Sequence, residues 1–500
     1  MCTGAAALVF WLFDALPFQD LPAHAGLIAL RHHFADADWE VVRRAFVLDP
    51  HLGPYSLFRF LGEHLQGGLG SIGAVRALAT LPVVATVIVL SWARWRLHGE
   101  QAPTAGYLAV ALGFGFMTLL GLFAYQLGVA LLIATLVLWL ELLVAVDAGR
   151  ATRRLELAVT CMGLLVWVAH GHAFVLLVVL ALVSAVAAGD RLPRLARLRA
   201  LGPALAAAGW SAWTWRASAI PAGSVSLAGA ATVVRFEGIG AKLGLLLSPT
   251  IMTRTGVDAL MAVLLWGVVG AAFVATLRSP ASARAPHTRP LSVCVAVLLA
   301  AFVVLPHAIG WFGFVDGRLL PLALMLAALT VRREALGPRL RACFSRAPAL
   351  AAAAMVVVAL VASDLFQAEA SGWHEVLEGI PAGARLLNLP LDPDSDVFVH
   401  HPFIHYDKLV LTERPVVTSD VWFHQGSALF PTADNPSLRL PPGYTSSDLK
   451  SIDWPSYRLQ DWDYALIRTR PEAPAPEVPP ALTLLVRRGG WWLFRIRASD

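Results

Sequence analysis

Charged side chains are scarce in this 500-residue sequence: they make up 15% of it, against 57% hydrophobic residues. Soluble domains carry about 25% charged residues, so the composition excludes a chain that is soluble throughout. The deficit is confined to residues 1–364, which hold long stretches of Ala, Leu and Val, whereas residues 365–500 read as a soluble sequence. We therefore expect a membrane-embedded helical region, 1–364, followed by a smaller soluble domain, 365–500.

Cysteine is also rare, with four in the chain and none after residue 364. A disulfide framework in the C-terminal domain is therefore excluded, and no CxxC or Cys/His zinc spacing occurs. The sequence has no P-loop, no GxGxxG following a strand and no HExxH. Without an ATPase motif, a primary pump is not expected.

The net charge of +5 does not indicate a nucleic-acid partner. The arginines cluster in short loops between apolar segments, and such clusters orient helices by the positive-inside rule. We therefore predict no nucleic-acid binding and read the charge as a topology signal.

Apolar segments recur along residues 1–364, and a helix needs about 20 such residues to cross roughly 30 Å of hydrocarbon. We predict about 11 transmembrane helices. They lie near 3–17, 72–93, 105–123, 127–147, 155–170, 172–189, 201–220, 256–277, 291–311, 317–331 and 346–364.

The basic clusters fall in alternate loops. They comprise Arg94 and Arg96; Arg150, Arg153 and Arg154; Arg191, Arg194, Arg197 and Arg199; Arg278, Arg284 and Arg289; and Arg332, Arg333, Arg339, Arg341 and Arg346. All of them share one side if the N-terminus is cytoplasmic. An odd number of spans then places the C-terminal domain on the periplasmic or extracellular side of the inner (cytoplasmic) membrane.

Two longer segments, 18–71 and 221–255, fall on the outer side in this topology. Within the first, the outer loop 18–71, the stretch Ala45–Leu65 is amphipathic and predicts a helix lying at the membrane surface.

Short apolar runs bounded by Pro, Gly and Asp predict a small α/β fold for residues 365–500. The expected strands are Ala384–Leu389, Lys408–Leu411, Val416–Thr418, Tyr464–Ile467, Leu482–Arg488 and Trp491–Arg497, with a helix at Ser371–Gly379. Gly489-Gly490 suits a hairpin turn that needs positive φ.

Asp20 directly follows the first apolar segment, and His24 lies four residues later. A carboxylate held at a helix exit can act as a general base or as a metal ligand. The alternative is a solvated acid that caps the next helix.

His170 and His172 lie in a tight turn between two spans. Paired imidazoles there could bind a metal, hold a phosphate or shuttle a proton, or could simply form a polar turn. The segment His400–Asp407 is also rich in histidine; a polar loop folded over a membrane cavity is favoured there over a metal site.

Asp316-Gly317-Arg318 stands at the start of the tenth span. Arginine is suited to bidentate contact with phosphate. The alternative is an Asp–Arg pair that anchors the end of the helix.

Three short pieces and the layout of the chain resemble the GT-C superfamily of membrane glycosyltransferases. Phe18–His24 is similar to the loop-opening acid of that superfamily, Gly121–Gly128 to the turn between its third and fourth spans, and Gly317–Pro321 to the start of a late span. The resemblance covers most of the chain in architecture.

This resemblance implies transfer of a sugar from a polyprenyl-phosphate donor to a glycan or lipid acceptor at the outer face. Asp20 would be the catalytic carboxylate, acting as base or metal ligand, and Arg318 would contact the donor phosphate. His170 and His172 would line the cavity; His24 and Asp316 complete the expected substrate-binding set. The acidic pair of several members is missing, since Leu21 follows Asp20, and a divalent metal is left open.

Two other functions are compatible with the sequence. One is a transporter or flippase, with Glu141 in the fourth span as a coupling residue, although a position near the cytoplasmic end, within reach of the Arg150 cluster, is favoured for Glu141. The other is a non-catalytic protein of envelope assembly, which a degenerate member of the superfamily could be.

Overall fold

The protein is described by a computed structural model that covers residues 2–49, 52–100, 103–188, 196–217, 233–283, 285–310, 312–421, 429–442, 444–446 and 449–497. Its helices are α1 Cys2–Val9, α2 Leu21–His32, α3 Glu40–Ala45, α4 Ser56–His98, α5 Thr104–Leu112, α6 Phe116–Leu119, α7 Phe123–Asp147, α8 Arg153–Ala169, α9 Gly171–Ala187, α10 Gly202–Ala217, α11 Ile239–Leu245, α12 Val257–Arg278, α13 Pro280–Ala283, α14 Thr288–Val304, α15 Leu319–Thr330, α16 Pro338–Ala370 and α17 Trp373–Glu378.

Every predicted span overlaps a helix, and among the described residues α4, α7, α12 and α16 are long and apolar enough to cross a membrane. The first predicted span, 3–17, is helical only over α1, whose 8 residues extend about 12 Å at 1.5 Å per residue. The third, 105–123, breaks into α5 and α6, because Gly115 packs against the backbone of Pro249 and leaves no room for a side chain. Residues 218–220 and 221–232, within predicted segments, lie outside the described residues.

Helix α4 changes direction at Gly70, whose φ of 66° and ψ of 171° are not helical. The predicted span 72–93 begins directly after this break. The predicted surface helix Ala45–Leu65 is wrong in its first part: Phe46–Leu48 is strand β1, and the helix begins only at Ser56. The strand forms because its backbone pairs antiparallel with Leu429–Pro431, far along the chain.

The Arg-rich connections contact one another at one end of the helical bundle. Arg94 donates to Val331 O, His98 bonds Leu329 O at 2.7 Å, the Arg332 amide donates to Thr276 Oγ1 at 3.1 Å, and Arg96 pairs with Glu141. Arg191, Arg194 and Arg284 lie outside the described residues. Alternate loops of an up-and-down helical bundle lie at the same end, so these contacts agree with the predicted alternation of the Arg-rich loops.

The described C-terminal residues form a mixed sheet of five strands, β4 Arg385–Pro390, β5 Val417–Thr418, β7 Tyr464–Arg468, β8 Leu482–Arg488 and β9 Trp491–Ile496. Their order in the sheet is β5-β4-β7-β9-β8. Strand β4 is parallel to β5 and β7, while β7, β9 and β8 are antiparallel. Two small pairs lie outside this sheet: β1 with β6 (Leu429–Pro431), and β2 (Val234–Arg235) with β3 (Ala308–Ile309).

The predicted hairpin at Gly489-Gly490 is confirmed, with φ of 52° at Gly489. The predicted strand Lys408–Leu411 is wrong, because residues Tyr406–Thr412 form a 3₁₀ helix. This helix packs against α2 so closely that a Cβ on Gly26 would lie 2.6 Å from Lys408 O. The C-terminal region is thereby held against the loop that follows α1.

Candidate functional site

A narrow apolar cavity lies between α4, α5, α7 and α15. Most of its wall is hydrocarbon, and its polar side chains are those of Thr86, Tyr125, Gln126, Ser248 and Arg318. The apolar part includes Pro82, Val83, Leu112, Val129, Leu322 and Met325. Such a cavity, with few polar groups on its wall, is typical of a site for a largely hydrophobic ligand.

Arg318 reaches this wall from the residue just before α15. Its side chain is buried, and its guanidinium lies 4.2 Å from the centre of the Phe312 ring and 5.3 Å from that of Tyr125. Nη2 donates to Gly313 O at 3.0 Å, whereas Nε and Nη1 have no hydrogen-bond partner among the described residues. A buried donor without a partner costs free energy, so these atoms favour an anion beside them.

His170 and His172 lie against the aromatic rings that surround Arg318, but neither is among the described residues that line the cavity. His170 caps α9, since its Nδ1 accepts the amide of His172 at 3.2 Å. The His172 ring stacks on Tyr125 with centroids 5.7 Å apart and meets Phe312 edge-on at 5.5 Å. Both imidazoles therefore share the aromatic surroundings of the guanidinium.

Tyr55 closes this group from the residue before α4, with its ring 4.7 Å from His170. Its φ of 70° is in the left-handed region, as is the φ of 56° at Phe314. Bulky residues rarely adopt this conformation, and such strain clusters at functional sites. Of these two strained residues, Phe314 accepts the Arg318 amide at 3.1 Å and Tyr55 lies against His170.

Asp20 is placed by the turn that follows α6. The amides of Gln19 and Asp20 donate to Leu119 O at 2.9 Å and Leu120 O at 3.3 Å. Gly121 has a φ of 82°, and a Cβ there would lie 2.8 Å from the Asp20 Cβ. Glycine is therefore needed at 121 both for its backbone conformation and for the space.

The surroundings of Asp20 suit a base that works near neutral pH. Burial raises the pKa of Asp20 from 3.8 to about 7, opposed by the hydrogen bond from Gln19 and by the charge of Arg318. Gln19 Nε2 lies 3.2 Å and His405 Nε2 3.7 Å from Asp20 Oδ1. A general base is most effective when its pKa lies near the working pH.

His24 serves the turn rather than the cavity wall. Its Nε2 lies 3.2 Å from Gly121 O, a bond that the protonated nitrogen donates, and its ring packs on Phe58 at 4.9 Å. His24 therefore contacts the turn that holds Asp20 and is not among the described residues that line the cavity, although it lies one helical turn from Asp20.

Asp316 faces away from the cavity. Its side chain is fully buried, and its oxygens accept from Lys242 Nζ at 3.0 Å and His307 Nδ1 at 2.9 Å. The sequence-based alternative of an Asp316–Arg318 pair is wrong, because Asp316 pairs with Lys242 instead. Substrate contact by Asp316 has no support in this geometry.

No group of three or more His, Cys, Asp or Glu side chains that could hold a metal ion occurs among the described residues. In the part of the chain that the structure describes, the further side chain of this kind recorded within 4 Å of Asp20 is His405. The residues described around Asp20 therefore do not fit a complete metal site.

The histidine-rich segment 400–407 folds over the α6 side of the site. The His400 ring lies 5.4 Å from Phe116 and 6.2 Å from Phe314. Together with His405 beside Asp20, this is the position predicted for a polar loop. His424, which the sequence places after this segment, lies outside the described residues.

Sequence reasoning missed Tyr55, Phe312 and Lys242. Tyr125 lies within the stretch Gly121–Gly128 that resembles the superfamily. However, nothing in the neighbouring sequence indicates that its hydroxyl donates to Arg318 O at 2.7 Å. Single aromatic residues in loops are common, so only their convergence on Arg318 reveals them.

No protein-family model matches the chain, and no curated protein matches it by sequence. Solved structures do match. ArnT from Cupriavidus metallidurans in the apo state aligns with a TM-score of 0.57 at 12% identity, covering 98% of this chain and 96% of that one. The same protein bound to undecaprenyl phosphate gives a TM-score of 0.55 at 13% identity, covering 99% and 97%.

The arabinofuranosyltransferase AftD from Mycobacteria aligns with a TM-score of 0.53 at 16% identity, over 100% of this chain and 40% of that one. At these identities the likeness concerns the fold. It agrees with the resemblance read from the sequence, and the long apolar helices α4, α7, α12 and α16 are those of a polytopic membrane protein. The chain has the overall fold of ArnT and of the matched part of AftD.

Proposed function

We propose that this chain is an integral membrane glycosyltransferase that transfers a sugar from a polyprenyl-phosphate donor to a glycan or lipid acceptor. One observation carries the proposal: the buried Arg318 guanidinium, whose Nε and Nη1 nitrogens have no partner among the described residues, stands on the wall of an apolar cavity. A polyprenyl phosphate combines the two chemistries that this arrangement accommodates, an anion and a hydrocarbon chain.

The binding mode follows from these chemistries. Guanidinium groups bind phosphate through charge-assisted hydrogen bonds, and the Nε and Nη1 atoms of Arg318 are free for them. The apolar wall, with Leu112 and Leu322, suits isoprenoid units by burial of hydrocarbon. ArnT, which has the same fold, is known bound to undecaprenyl phosphate.

Asp20 completes the chemistry as the general base. It accepts the proton of the acceptor hydroxyl while that oxygen forms a bond to the anomeric carbon of the sugar. The bond between this carbon and the phosphate oxygen breaks, and its electron pair leaves with the polyprenyl phosphate. Arg318 stabilises the charge that develops on the departing phosphate, as preorganised cations do.

We further propose the topology read from the sequence. About 11 spans would place the N-terminus and the Arg-rich end in the cytoplasm and residues 365–500 as a soluble α/β domain outside the inner membrane. The contacts between Arg-rich connections at one end of the bundle support this orientation. Asp20, His405 and Arg318 would then open toward the outer leaflet.

The experiment that tests the function compares purified wild type with Asp20→Asn. Each is incubated with a panel of polyprenyl-phosphate sugars and candidate acceptors, and the released polyprenyl phosphate is measured. We expect release by the wild type and at least a 100-fold loss in the variant, as removal of a general base costs roughly 10²–10⁴-fold.

Asp36→Asn is the matched control, because Asp36 is a half-exposed acid of the same loop that pairs only with His33 in the described contacts. It should release polyprenyl phosphate at the wild-type rate. Equal rates for Asp20→Asn and the wild type would remove the catalytic assignment.

The transporter alternative is not favoured by the structure. Glu141, its proposed coupling residue, forms a two-point ion pair with Arg96 (Nε to Oε1, 2.6 Å) at the Arg-rich end, far along α7 from Tyr125. Such a pair anchors helix ends. Loss of lipid flux in Glu141→Gln, with normal sugar transfer, would revive that alternative.

A further inference from the structure

A buried network of charged side chains lies directly behind Arg318. At its centre is Asp316, two residues before Arg318 and fully buried. A buried carboxylate is costly unless it is paired and hydrogen-bonded. Its partners come from distant parts of the chain, Lys242 in α11 and His307 after α14.

Lys242 has no capacity left for a ligand. Its ammonium group donates to Phe302 O at 2.6 Å, Leu305 O at 2.9 Å and Asp316 Oδ2 at 3.0 Å. An ammonium group has three N–H donors, and each one meets an acceptor here. The side chain therefore joins α11 to the end of α14 and to the segment that carries Arg318.

The second oxygen of Asp316 extends the network. Oδ1 accepts from His307 Nδ1 at 2.9 Å and from the Gly317 amide at 2.7 Å. The backbone of His307 is itself fixed, since its amide donates to Arg235 O at 2.7 Å and its carbonyl accepts from Val315 at 2.9 Å. Through Asp316 and His307, the segment directly before Arg318 is thus bonded to α11, to the end of α14 and to strand β2.

Arg318 depends on this support because its guanidinium has few bonds of its own. Within the described residues, one N–H, on Nη2, has a bond to Gly313 O, and the flanking Phe312 belongs to the same loop. The location of the guanidinium is therefore set by where the loop backbone lies. A shift of 1 Å in a phosphate-binding group is enough to lose much of its effect.

We propose that Lys242, Asp316 and His307 form a buried brace whose role is to position Arg318 for the phosphate of the lipid donor. This inference rests on the proposed function. Buried ion pairs add little net stability compared with apolar replacements, but they fix geometry. The brace residues are thus positioning residues, and none of them contacts the phosphate.

The experiment measures the Kd for undecaprenyl phosphate and the unfolding temperature of purified full-length protein. The variants are Lys242→Met, Asp316→Asn and the double variant. Each single change leaves a buried partner unpaired and should lower the unfolding temperature and raise Kd at least 10-fold. The double variant should regain much of the unfolding temperature, since no buried charge is left alone, while Kd stays at least 10-fold raised.

A double variant that regains its unfolding temperature but keeps a raised Kd distinguishes a positioning role from a stabilising one. A double variant with wild-type Kd would overturn the inference. If a single variant does not fold, the double variant and the milder His307→Gln decide the question. We expect His307→Gln to raise the Kd for undecaprenyl phosphate about 3-fold or more and to raise the KM for the donor in parallel. The KM for the acceptor should stay unchanged.

Two further proteins complete the design. Asp463→Asn removes a carboxylate that binds Arg385 in the sheet and should lower stability without changing Kd. Arg318→Gln tests the proposed function: if it weakens binding while the brace variants do not, only the brace is wrong. If Arg318→Gln binds as the wild type does, the phosphate site itself is wrong.

Discussion

At the scale of single residues, Arg318 and Asp20 have different chemical roles in the proposed site. Arg318 has two nitrogen atoms without a partner among the described residues, whereas burial makes Asp20 easier to protonate than an ordinary aspartate. An anion site and a base that titrates near neutrality follow from these environments, and each leads to a measurement.

Replacing Arg318 with Gln should weaken binding of undecaprenyl phosphate roughly 10- to 100-fold. Hydrogen bonds to a charged group contribute about 1.5–3 kcal/mol, and 1.4 kcal/mol corresponds to a factor of ten. The measurement is a titration in lipid nanodiscs. Arg44→Gln is the control, because Arg44 is an exposed arginine of the outer loop, and it should bind as tightly as the wild type.

The pH dependence of transfer should follow Asp20. A base must be ionised to act, and burial raises the pKa of Asp20 to about 7, so kcat/KM should be low at pH 5 and rise through pH 7 to a plateau. Asp20 is uncharged in the fold below this range, so its contribution to stability is greatest below its unfolded pKa of 3.8 and falls as the pH rises through 7. A flat profile between pH 5 and 8 would show that another group is the base.

At the scale of elements, the turn after α6 positions Asp20. It is built on Gly121, which has a left-handed backbone and lies against Asp20. The same turn receives the bond from His24. The short helix α6, which interrupts the predicted apolar span, therefore brings the carbonyls of Leu119 and Leu120 within hydrogen-bonding distance of the segment before α2.

Gly121→Ala should lower kcat at least 10-fold. The added Cβ meets Asp20 Cβ at 2.8 Å and Asp20 N at 3.0 Å, so the carboxylate has to move. Gly99→Ala is the matched control, since Gly99 also has a left-handed φ, 68°, but nothing within 4 Å of its would-be Cβ. Gly99→Ala should lose about 1–2 kcal/mol of stability from its left-handed φ alone. Gly121→Ala should lose more because its Cβ also collides with Asp20, and it alone should lose activity; thermal unfolding measures the stability of both.

At the scale of the whole molecule, the C-terminal region completes the burial of Asp20. The 3₁₀ helix Tyr406–Thr412 rests on α2, and strand β1 of the first loop pairs with β6. His405 from this region lies 3.7 Å from Asp20 Oδ1. The pKa of the base is therefore a property of how two distant parts of the chain pack together.

Gly26→Val should loosen that packing, because a Cβ at Gly26 lies 2.6 Å from the backbone oxygen of Lys408. With more water at Asp20, desolvation weakens and the pKa of Asp20 falls toward 3.8. The rising limb of the pH–rate profile should then move to lower pH by a measurable amount. Gly53→Ala, where nothing lies within 4 Å, should leave the limb in place, and an unmoved limb in Gly26→Val would contradict the packing argument.

The sequence by itself determined the helical membrane architecture, the grouping of the Arg-rich loops and most strands of the C-terminal sheet, because hydropathy and turn signals act over 5 to 20 neighbouring residues. It also placed Asp20, His170, His172 and Arg318 among the candidates. The tertiary structure alone decided which of them meet. Asp316 pairs with Lys242, and Tyr55 packs on His170. Those contacts join residues from tens to more than a hundred positions apart, and such long-range packing leaves no trace in local sequence.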